Sequence, residues 1–289
     1  MNLIHFESVH RSSVATAPVM NARLKTTLHA WFRSLLVVPA LLLLLPLSGL
    51  GAEKKLLVVT VTKGFRHDSI PTAERVLGKL AETSGAFEIE YVRTDEDLAE
   101  KMTPGRLQEY DGFIFANTTG ILPLPDKQAF LDMIRNGKAF VGMHSASDTF
   151  HGKEAVDPYI EMLGGEFETH GAQVGVECLV ADTGHPTTRK LGESYCIEQE
   201  EIYILKNFDR RKVHQLLYLD KHPNRKSTPG YYPIAWCKMY GDGRVFYTSL
   251  GHREDVWENP RYQSHILGGI LWALGLEPGD AGPQEPQGP

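Results

Sequence analysis

Short, uninterrupted apolar runs alternate with stretches of helical periodicity, and this alternation most limits the folds open to the chain. The clearest runs are 56–61 (LLVVTV), 112–116 (GFIFA) and 139–143 (AFVGM). An unbroken apolar run of this length suits a strand that is buried on both faces, as in a parallel sheet covered by helices. Residues 70–81 and 125–134 carry apolar side chains at helical spacing between the runs. The pattern predicts an α/β fold with a mostly parallel sheet and helices on both faces.

The second half of the chain has a different texture, with extended segments joined by polar loops. A further strand is predicted at 87–92 and a short helix at 103–110, followed later by extended segments at 173–181, 195–205 and 213–219. Residues 232–239 and 244–249 flank the turn Tyr-Gly-Asp-Gly and predict a late β-hairpin, before a closing helix over 262–274. We therefore expect one domain over 54–276 and a disordered, Gly/Pro/Gln-rich tail over 277–289.

An apolar segment near the N terminus, 35–47 (LLVVPALLLLLPL), follows three basic residues and precedes the small residues 48–52. It is shorter than the roughly 20 residues that a membrane-spanning helix needs, and two prolines interrupt it. The pattern predicts a signal peptide with an upstream extension in 1–52, cleaved near Ala52, with Met20 as an alternative start. The protein is therefore expected to be exported to the periplasm or secreted, with no stable membrane span after cleavage.

Charge and cysteine count exclude several classes of protein. The 30 Lys and Arg residues face 36 Asp and Glu residues, so the net charge of -6 provides no basic field for binding nucleic acid. The three cysteines lack the CxxC spacing of a zinc knuckle and are too few for a disulfide framework. Two alternatives stay open, namely three buried thiols or one bridge between Cys178 and Cys196. The oligomeric state stays open as well.

Histidines follow several of the predicted strands. Ligands of open parallel sheets bind beyond the carboxyl ends of the strands, so these turns are expected to form the site. His67 follows the first strand, His144 follows the run 139–143, and His252 follows the hairpin. His144 lies among small residues between a strand and a helix, which is the setting of a nucleophile elbow. There it can act as a base, bind a metal or bind a substrate hydroxyl, whereas Ser145 as a nucleophile is a weaker alternative.

Six ordered motifs resemble the ThuA-like (trehalose-utilisation) family. They are Lys-Gly-Phe-Arg-His, Gly-Met-His-Ser-Ala-Ser-Asp-Thr-Phe, Gly-Gly-Glu-Phe-Glu-Thr-His, His-Pro, Glu-Glu-Ile-Tyr and Tyr-Gly-Asp-Gly-Arg-Val-Phe-Tyr-Thr-Ser-Leu-Gly-His, and they span about 55–275. The resemblance implies the flavodoxin-like fold of class I glutamine amidotransferases, whose active members carry an elbow cysteine and a late His-x-Glu pair. His252 and Glu254 match that pair, but His144 stands in place of the cysteine. Glutamine hydrolysis through a thioester needs a thiolate, so the chain is not expected to be a glutaminase.

The candidate site residues combine position with the motifs. His144, His252 and Glu254 are predicted to be catalytic, and the residues predicted to bind substrate are Arg66, His67, Asp148 and Trp257. A divalent metal such as zinc would have His144, Glu166, His170 and His252 as ligands, because imidazoles and carboxylates suit such ions. Metal-free acid/base chemistry is equally open. The carboxylates of Glu200 and Glu201 are left open between the cleft and a solvated rim.

The resemblance also implies a substrate class. We expect an exported enzyme of disaccharide or keto-sugar catabolism that works by acid/base or metal-assisted chemistry, with a small sugar as its partner. The alternative is a non-catalytic sugar-binding or assembly module built on a degenerate amidotransferase scaffold.

Overall fold

A nine-stranded sheet organises the chain in the computed structural model, which describes residues 54–152 and 155–284. The expected signal peptide, its cleavage near Ala52 and the alternative start at Met20 lie outside the described residues. Within the described ranges, no helix combines the length and apolar character needed to cross a bilayer.

The strands form one large mixed sheet and one small sheet. They are β1 (Lys54–Val59), β2 (Phe87–Val92), β3 (Gly112–Ala116), β4 (Ala139–Met143), β5 (Glu166–His170), β6 (Val174–Val180), β7 (Ser194–Glu200), β8 (Tyr203–Lys206), β9 (His214–His222), β10 (Thr228–Tyr240) and β11 (Gly243–Thr248). The large sheet has the order β2-β1-β3-β4-β11-β10-β9-β6-β7, and β5 pairs with β8. Neighbours from β2 to β11 run parallel, and those from β11 to β7 run antiparallel. The predicted α/β class and the late hairpin, β10–β11, are confirmed.

Helices cover both faces of the parallel half of the sheet. They are α1 (Ile70–Ser84), α2 (Asp95–Lys101), α3 (Pro104–Leu107), α4 (Lys127–Arg135), α5 (Pro158–Leu163), α6 (Glu254–Glu258) and α7 (Pro260–Ala273). Alternate residues of β1 serve the two faces, since Leu56 and Val58 join the core formed with α1 and α7. Leu57 and Val59 join the core formed with α2 to α5. Burial on both faces explains the unbroken apolar runs in the sequence.

The hairpin places the last turn of the site. Strand β11 pairs in parallel with β4, with Thr248 opposite Met143. Because parallel strands end at the same edge of a sheet, the residues after β11 emerge beside the residues after β4. The turn 249–252 therefore lies next to His144.

Part of the C-terminal tail is ordered, contrary to the prediction of disorder over 277–289. The Trp272 indole donates to the Gly279 carbonyl at 3.1 Å, and the Gln215 amide donates to Gln284 Oε1 at 3.1 Å. His214 Nδ1 lies 2.9 Å from the Gly282 carbonyl. These contacts hold 277–284 against the domain, while 285–289 lie outside the described residues.

The three cysteines are free thiols, so the bridge between Cys178 and Cys196 is not formed. In the pairing of β6 with β7, Cys178 lies opposite Tyr195, and Cys196 lies opposite Glu177. The one-residue offset turns the two side chains to opposite faces of the sheet. Cys178 is accordingly buried and Cys196 exposed, so the alternative of three buried thiols holds only for Cys178 and Cys237.

Candidate functional site

Three histidines from distant parts of the chain converge beyond the ends of the parallel strands. His67 follows β1, His144 follows β4, and His252 follows β11. His144 Nε2 lies 3.1 Å from His67 Nε2 and 3.3 Å from His252 Nδ1. The three rings therefore share one small volume.

His144 occupies a sharp turn at the centre of this group. Its φ of 49° lies in the left-handed region, which costs a residue with a side chain about 1–2 kcal/mol. The turn is held on both sides, because the His144 carbonyl accepts from the Tyr247 hydroxyl at 2.7 Å and its Nδ1 lies 2.7 Å from the Ser249 carbonyl. A carbonyl only accepts, so Nδ1 carries the hydrogen and Nε2 presents a lone pair to the other histidines.

A carboxylate from the connection between β7 and β8 and a phenol from the start of β8 complete the group. Glu201 Oε1 lies 3.4 Å from His252 Nδ1 and 3.8 Å from His144 Nε2. The Tyr203 hydroxyl donates to His144 Nε2 at 2.8 Å. Sequence reasoning left Glu201 open between cleft and rim and did not assign a role to Tyr203. The alternation of an extended segment places the two on one side, which is the signal that was available.

Buried hydrogen bonds fix the turn that carries His252. Glu200 Oε1 accepts from the amides of Gly251 at 3.2 Å and His252 at 2.7 Å. The Gly251 carbonyl accepts from Asn117 Nδ2 at 2.9 Å and from the Trp257 indole at 2.7 Å. Gly251 itself has a φ of 117°, and a Cβ there would lie 2.7 Å from the Tyr262 hydroxyl. This turn therefore requires glycine.

His67, His144, His252 and Glu201 form a cluster, and burial and neighbouring charge give its three histidines different pKa values. Burial, together with the charge of His252, lowers the pKa of His67 to about 4, and burial lowers the pKa of His144 well below its ordinary value. Burial also acts to lower the pKa of His252, but the hydrogen bond and charge of Glu201 outweigh it, so this pKa is raised. His67 and His144 are thus neutral near pH 7, and His252 is the histidine best able to carry a proton there.

A cavity of about 280 Å³ opens onto the cluster. Its walls are formed by Phe65, His67, Thr119, Ser145, Asp148, Phe167, His170, Glu201, Tyr203 and His252. A second cavity of about 330 Å³ adjoins it, and both are bordered by Phe65 and His252. The Phe65 side chain is 67% exposed although its loop is anchored, since the Thr119 hydroxyl donates to the Phe65 carbonyl at 2.9 Å. An exposed ring on a fixed loop offers an apolar face to a ligand.

Of the four residues predicted to bind substrate, two line the cavity and two do not. Asp148 and His67 line the cavity. Arg66 is exposed, and its guanidinium donates to the Thr60 carbonyl at 3.2 Å. Trp257 is fully buried and donates to the Gly251 carbonyl, so the prediction that it binds substrate is wrong. Its role in the structure is to support the turn before His252.

Three residues that were predicted to act with His144 and His252 lie outside the cluster, namely Glu254, Glu166 and His170. Glu254 is exposed and borders the second cavity, whereas Glu201 is the carboxylate that faces His252. Glu166 is buried beside Lys206, with its Oε1 3.2 Å from Lys206 Nζ. His170 is near the cluster, because its Nδ1 lies 3.0 Å from Glu201 Oε2.

The described residues therefore offer a different set of metal donors from the predicted one. One ligand atom each from His67, His144, Glu201 and His252 lies within 4.8 Å of the others. Two of the predicted ligands, His144 and His252, belong to this set, whereas His170 and Glu166 do not.

Comparison with known proteins matches this architecture to one family. The family model ThuA, described as trehalose utilisation, matches residues 55–273. No curated protein matches the chain. Among solved structures, a ThuA-like protein from Parabacteroides merdae is 18% identical with a TM-score of 0.63, covering 77% of this chain and 90% of that chain. A ThuA-like protein from Bacteroides uniformis is 21% identical with a TM-score of 0.60, covering 76% of this chain and 91% of that chain. The cytoplasmic protein STM3548 from Salmonella typhimurium is 12% identical with a TM-score of 0.51, covering 76% and 98%.

Proposed function

Because the chain belongs to the ThuA, or trehalose utilisation, family, we propose that it is an enzyme acting on a disaccharide or keto-sugar in the cavity beside His144. The observation that carries this proposal is the meeting of three imidazoles and the Glu201 carboxylate in one cluster, of which His67, His252 and Glu201 line the wall of a cavity. Sites that combine titratable groups of unlike pKa with a concave pocket are typical of catalytic centres.

The cavity suits the surface of a sugar. Its walls combine two phenyl rings, Phe65 and Phe167, with hydroxyl, imidazole and carboxylate groups. A sugar ring has apolar C–H faces and a rim of hydroxyls, so aromatic faces and paired donors and acceptors are both needed to hold it. The carboxylates of Asp148 and Glu201 favour a neutral ligand over an anionic one.

Proton transfer is the chemistry that the cluster supports. His252, with its raised pKa, is a source of a proton near neutral pH, and Glu201 beside it is an acceptor. The Tyr203 hydroxyl is a further hydrogen donor at the same place. Positioned acids and bases of this kind contribute about 10²- to 10⁴-fold to the rate of proton transfer at a hydroxyl or at a carbon beside a ketone.

Glutaminase activity is not part of the proposal. His144 occupies the turn after β4 where that chemistry requires a thiolate, and Cys178 and Cys237 are buried in the core. Burial raises the pKa values of both thiols, which makes them poorer nucleophiles still.

The test is turnover of trehalose and of its C3-oxidised form by the purified protein, followed by NMR. We expect conversion of at least one of them, and a loss of about 10²-fold or more in kcat for Glu201→Gln. Glu254→Gln, at the position that the family motif favours, is the matched variant and should keep most of the activity because Glu254 is exposed. Loss in Glu254→Gln but not in Glu201→Gln would reverse the assignment. Sugar binding by calorimetry without turnover by any preparation would support the non-catalytic module instead.

Export is the second part of the proposal, and the segment 35–52 supports it. Expression of the full chain in a Gram-negative host, followed by fractionation and N-terminal sequencing, tests it. We expect a periplasmic protein that begins close to Glu53. A cytoplasmic protein that retains the residues before Ala52 would contradict export.

A further inference from the structure

We infer that His67 Nε2, His144 Nε2, His252 Nδ1 and a carboxylate oxygen of Glu201 bind one divalent transition-metal ion, with zinc the best fit. With the ion bound, His252 Nδ1 and Glu201 are metal ligands and do not exchange protons, so the inference replaces their proton roles in the proposed function with a cofactor. It rests on the geometry of the four side chains and not on the substrate.

Four of the six distances between the donor atoms are close to those of a tetrahedral site, and the other two, from His67 to His252 and to Glu201, are within 4.8 Å. Zinc binds histidine nitrogen at about 2.0–2.1 Å and carboxylate oxygen at about 2.0–2.2 Å, so the edges of its tetrahedron measure about 3.3–3.5 Å. The donor pairs centred on His144 measure 3.1 Å to His67, 3.3 Å to His252 and 3.8 Å to Glu201. The pair of His252 and Glu201 measures 3.4 Å. Small shifts of the side chains bring all four to one ion.

Hydrogen bonds alone do not account for this convergence. His144 Nε2 has a single lone pair, because Nδ1 carries the ring hydrogen toward the Ser249 carbonyl. Three groups nevertheless approach that lone pair, namely the Tyr203 hydroxyl at 2.8 Å, His67 at 3.1 Å and His252 at 3.3 Å. One lone pair accepts one well-formed hydrogen bond, so the other two contacts bring nitrogen against nitrogen with little gain. A cation that accepts a lone pair from each ring removes the conflict.

The surroundings of the cluster resemble those that orient metal ligands. A metal-binding histidine commonly donates its second ring N–H to a backbone carbonyl, as His144 does to Ser249. The second carboxylate oxygen of Glu201 lies 3.0 Å from His170 Nδ1, and His67 Nδ1 lies 3.4 Å from the Ser145 hydroxyl. His170 thus positions Glu201, and this role explains why His170 lies beside the cluster.

The donor types select the ion. Imidazole and carboxylate together suit zinc and its neighbours in the first transition row, whereas magnesium and calcium prefer an all-oxygen shell. No thiol belongs to the set of four, which disfavours copper(I). The proposed site borders the cavity, since His67, His252 and Glu201 all line its wall.

Metal binding by untagged, full-length protein tests the inference, because an affinity tag of histidines would bind metal itself. The protein is stripped with a chelator and titrated with Zn²⁺ against a chromophoric competitor, and with Co²⁺ by visible absorption. We expect one equivalent of Zn²⁺ per chain and the intense absorption of four-coordinate Co²⁺. His252→Asn and Glu201→Gln should each weaken Zn²⁺ binding by about tenfold or more, and both lie at the cavity wall, where substitution disturbs the core least.

His151→Asn is the matched control, because His151 is exposed and its ring contacts Asp148 and not the cluster. It should bind Zn²⁺ like the wild type. Binding of less than about 0.1 equivalent, or full affinity in both His252→Asn and Glu201→Gln, would overturn the inference. The outcome is separate from that of the proposed function: Zn²⁺ binding without sugar turnover contradicts only the function, and sugar turnover by a protein that does not bind Zn²⁺ contradicts only the metal.

Discussion

Replacement of Trp257 by phenylalanine separates a structural role from a role in binding sugar. The Trp257 indole is fully buried and donates to the Gly251 carbonyl at 2.7 Å. Phenylalanine keeps an aromatic ring but loses this hydrogen bond, at a cost of about 1 kcal/mol, and buries less apolar area, at a cost of roughly 1 kcal/mol more. The carbonyl keeps the Asn117 amide as a donor at 2.9 Å, so it is not left without a partner.

The sum of about 2 kcal/mol lowers the melting temperature of a domain of this size by roughly 4–8 °C. His252 follows Gly251 directly, so we also expect weaker Zn²⁺ binding in Trp257→Phe. Thermal unfolding followed by circular dichroism, together with the Zn²⁺ titration, checks both effects. An unchanged melting temperature combined with a higher KM for a sugar would refute this reasoning and would indicate that Trp257 contacts the substrate.

Three further predictions address other parts of the molecule. Phe65→Ser should raise the KM for a sugar substrate about three- to tenfold and leave the melting temperature within about 1 °C, because the ring is 67% exposed and makes an edge-to-face contact with the His67 ring; a large thermal loss would contradict this. Burial lowers the pKa of His265 from 6.5 to about 4, so the unfolded chain binds this proton more readily than the folded chain does. The free energy of unfolding therefore falls by about 2 kcal/mol as the pH is lowered from 7 to 5. His265→Phe should flatten the pH dependence of urea unfolding by that amount, and an unchanged slope would show that the ring is not buried. A chain ending at Leu276 loses the contacts of Trp272 and His214 with the tail and should unfold several degrees lower while its Zn²⁺ affinity is unchanged; equal melting temperatures would show that the tail is not packed.

The parallel half of the fold and the three histidines of the site were open to prediction from the sequence. Strands β1 and β4 contain unbroken apolar runs, and the rule that ligands bind beyond such strands selects the turns with His67 and His144. His252 was found because the hairpin and the motif both end there. These signals are local, and each can be read within a few residues.

The partners of the histidines were not predictable in the same way. The spacing His-x-Glu favoured Glu254, but residue 254 begins helix α6 on the exposed side, and Glu201 reaches His252 from 51 positions earlier in the chain. Trp257 lies on the short helix α6, and its buried indole donates to the Gly251 carbonyl. The tail was predicted to be disordered from its composition, whereas the donors and acceptors that hold it lie on β9 and α7. In each case the deciding contact comes from a distant element.

An anomalous difference map across the zinc absorption edge, from crystals grown with Zn²⁺, tests the central claim most directly. The account predicts a single peak about 2.0–2.2 Å from His67 Nε2, His144 Nε2, His252 Nδ1 and a Glu201 carboxylate oxygen. No peak at this place, or a peak held by other residues, would contradict it.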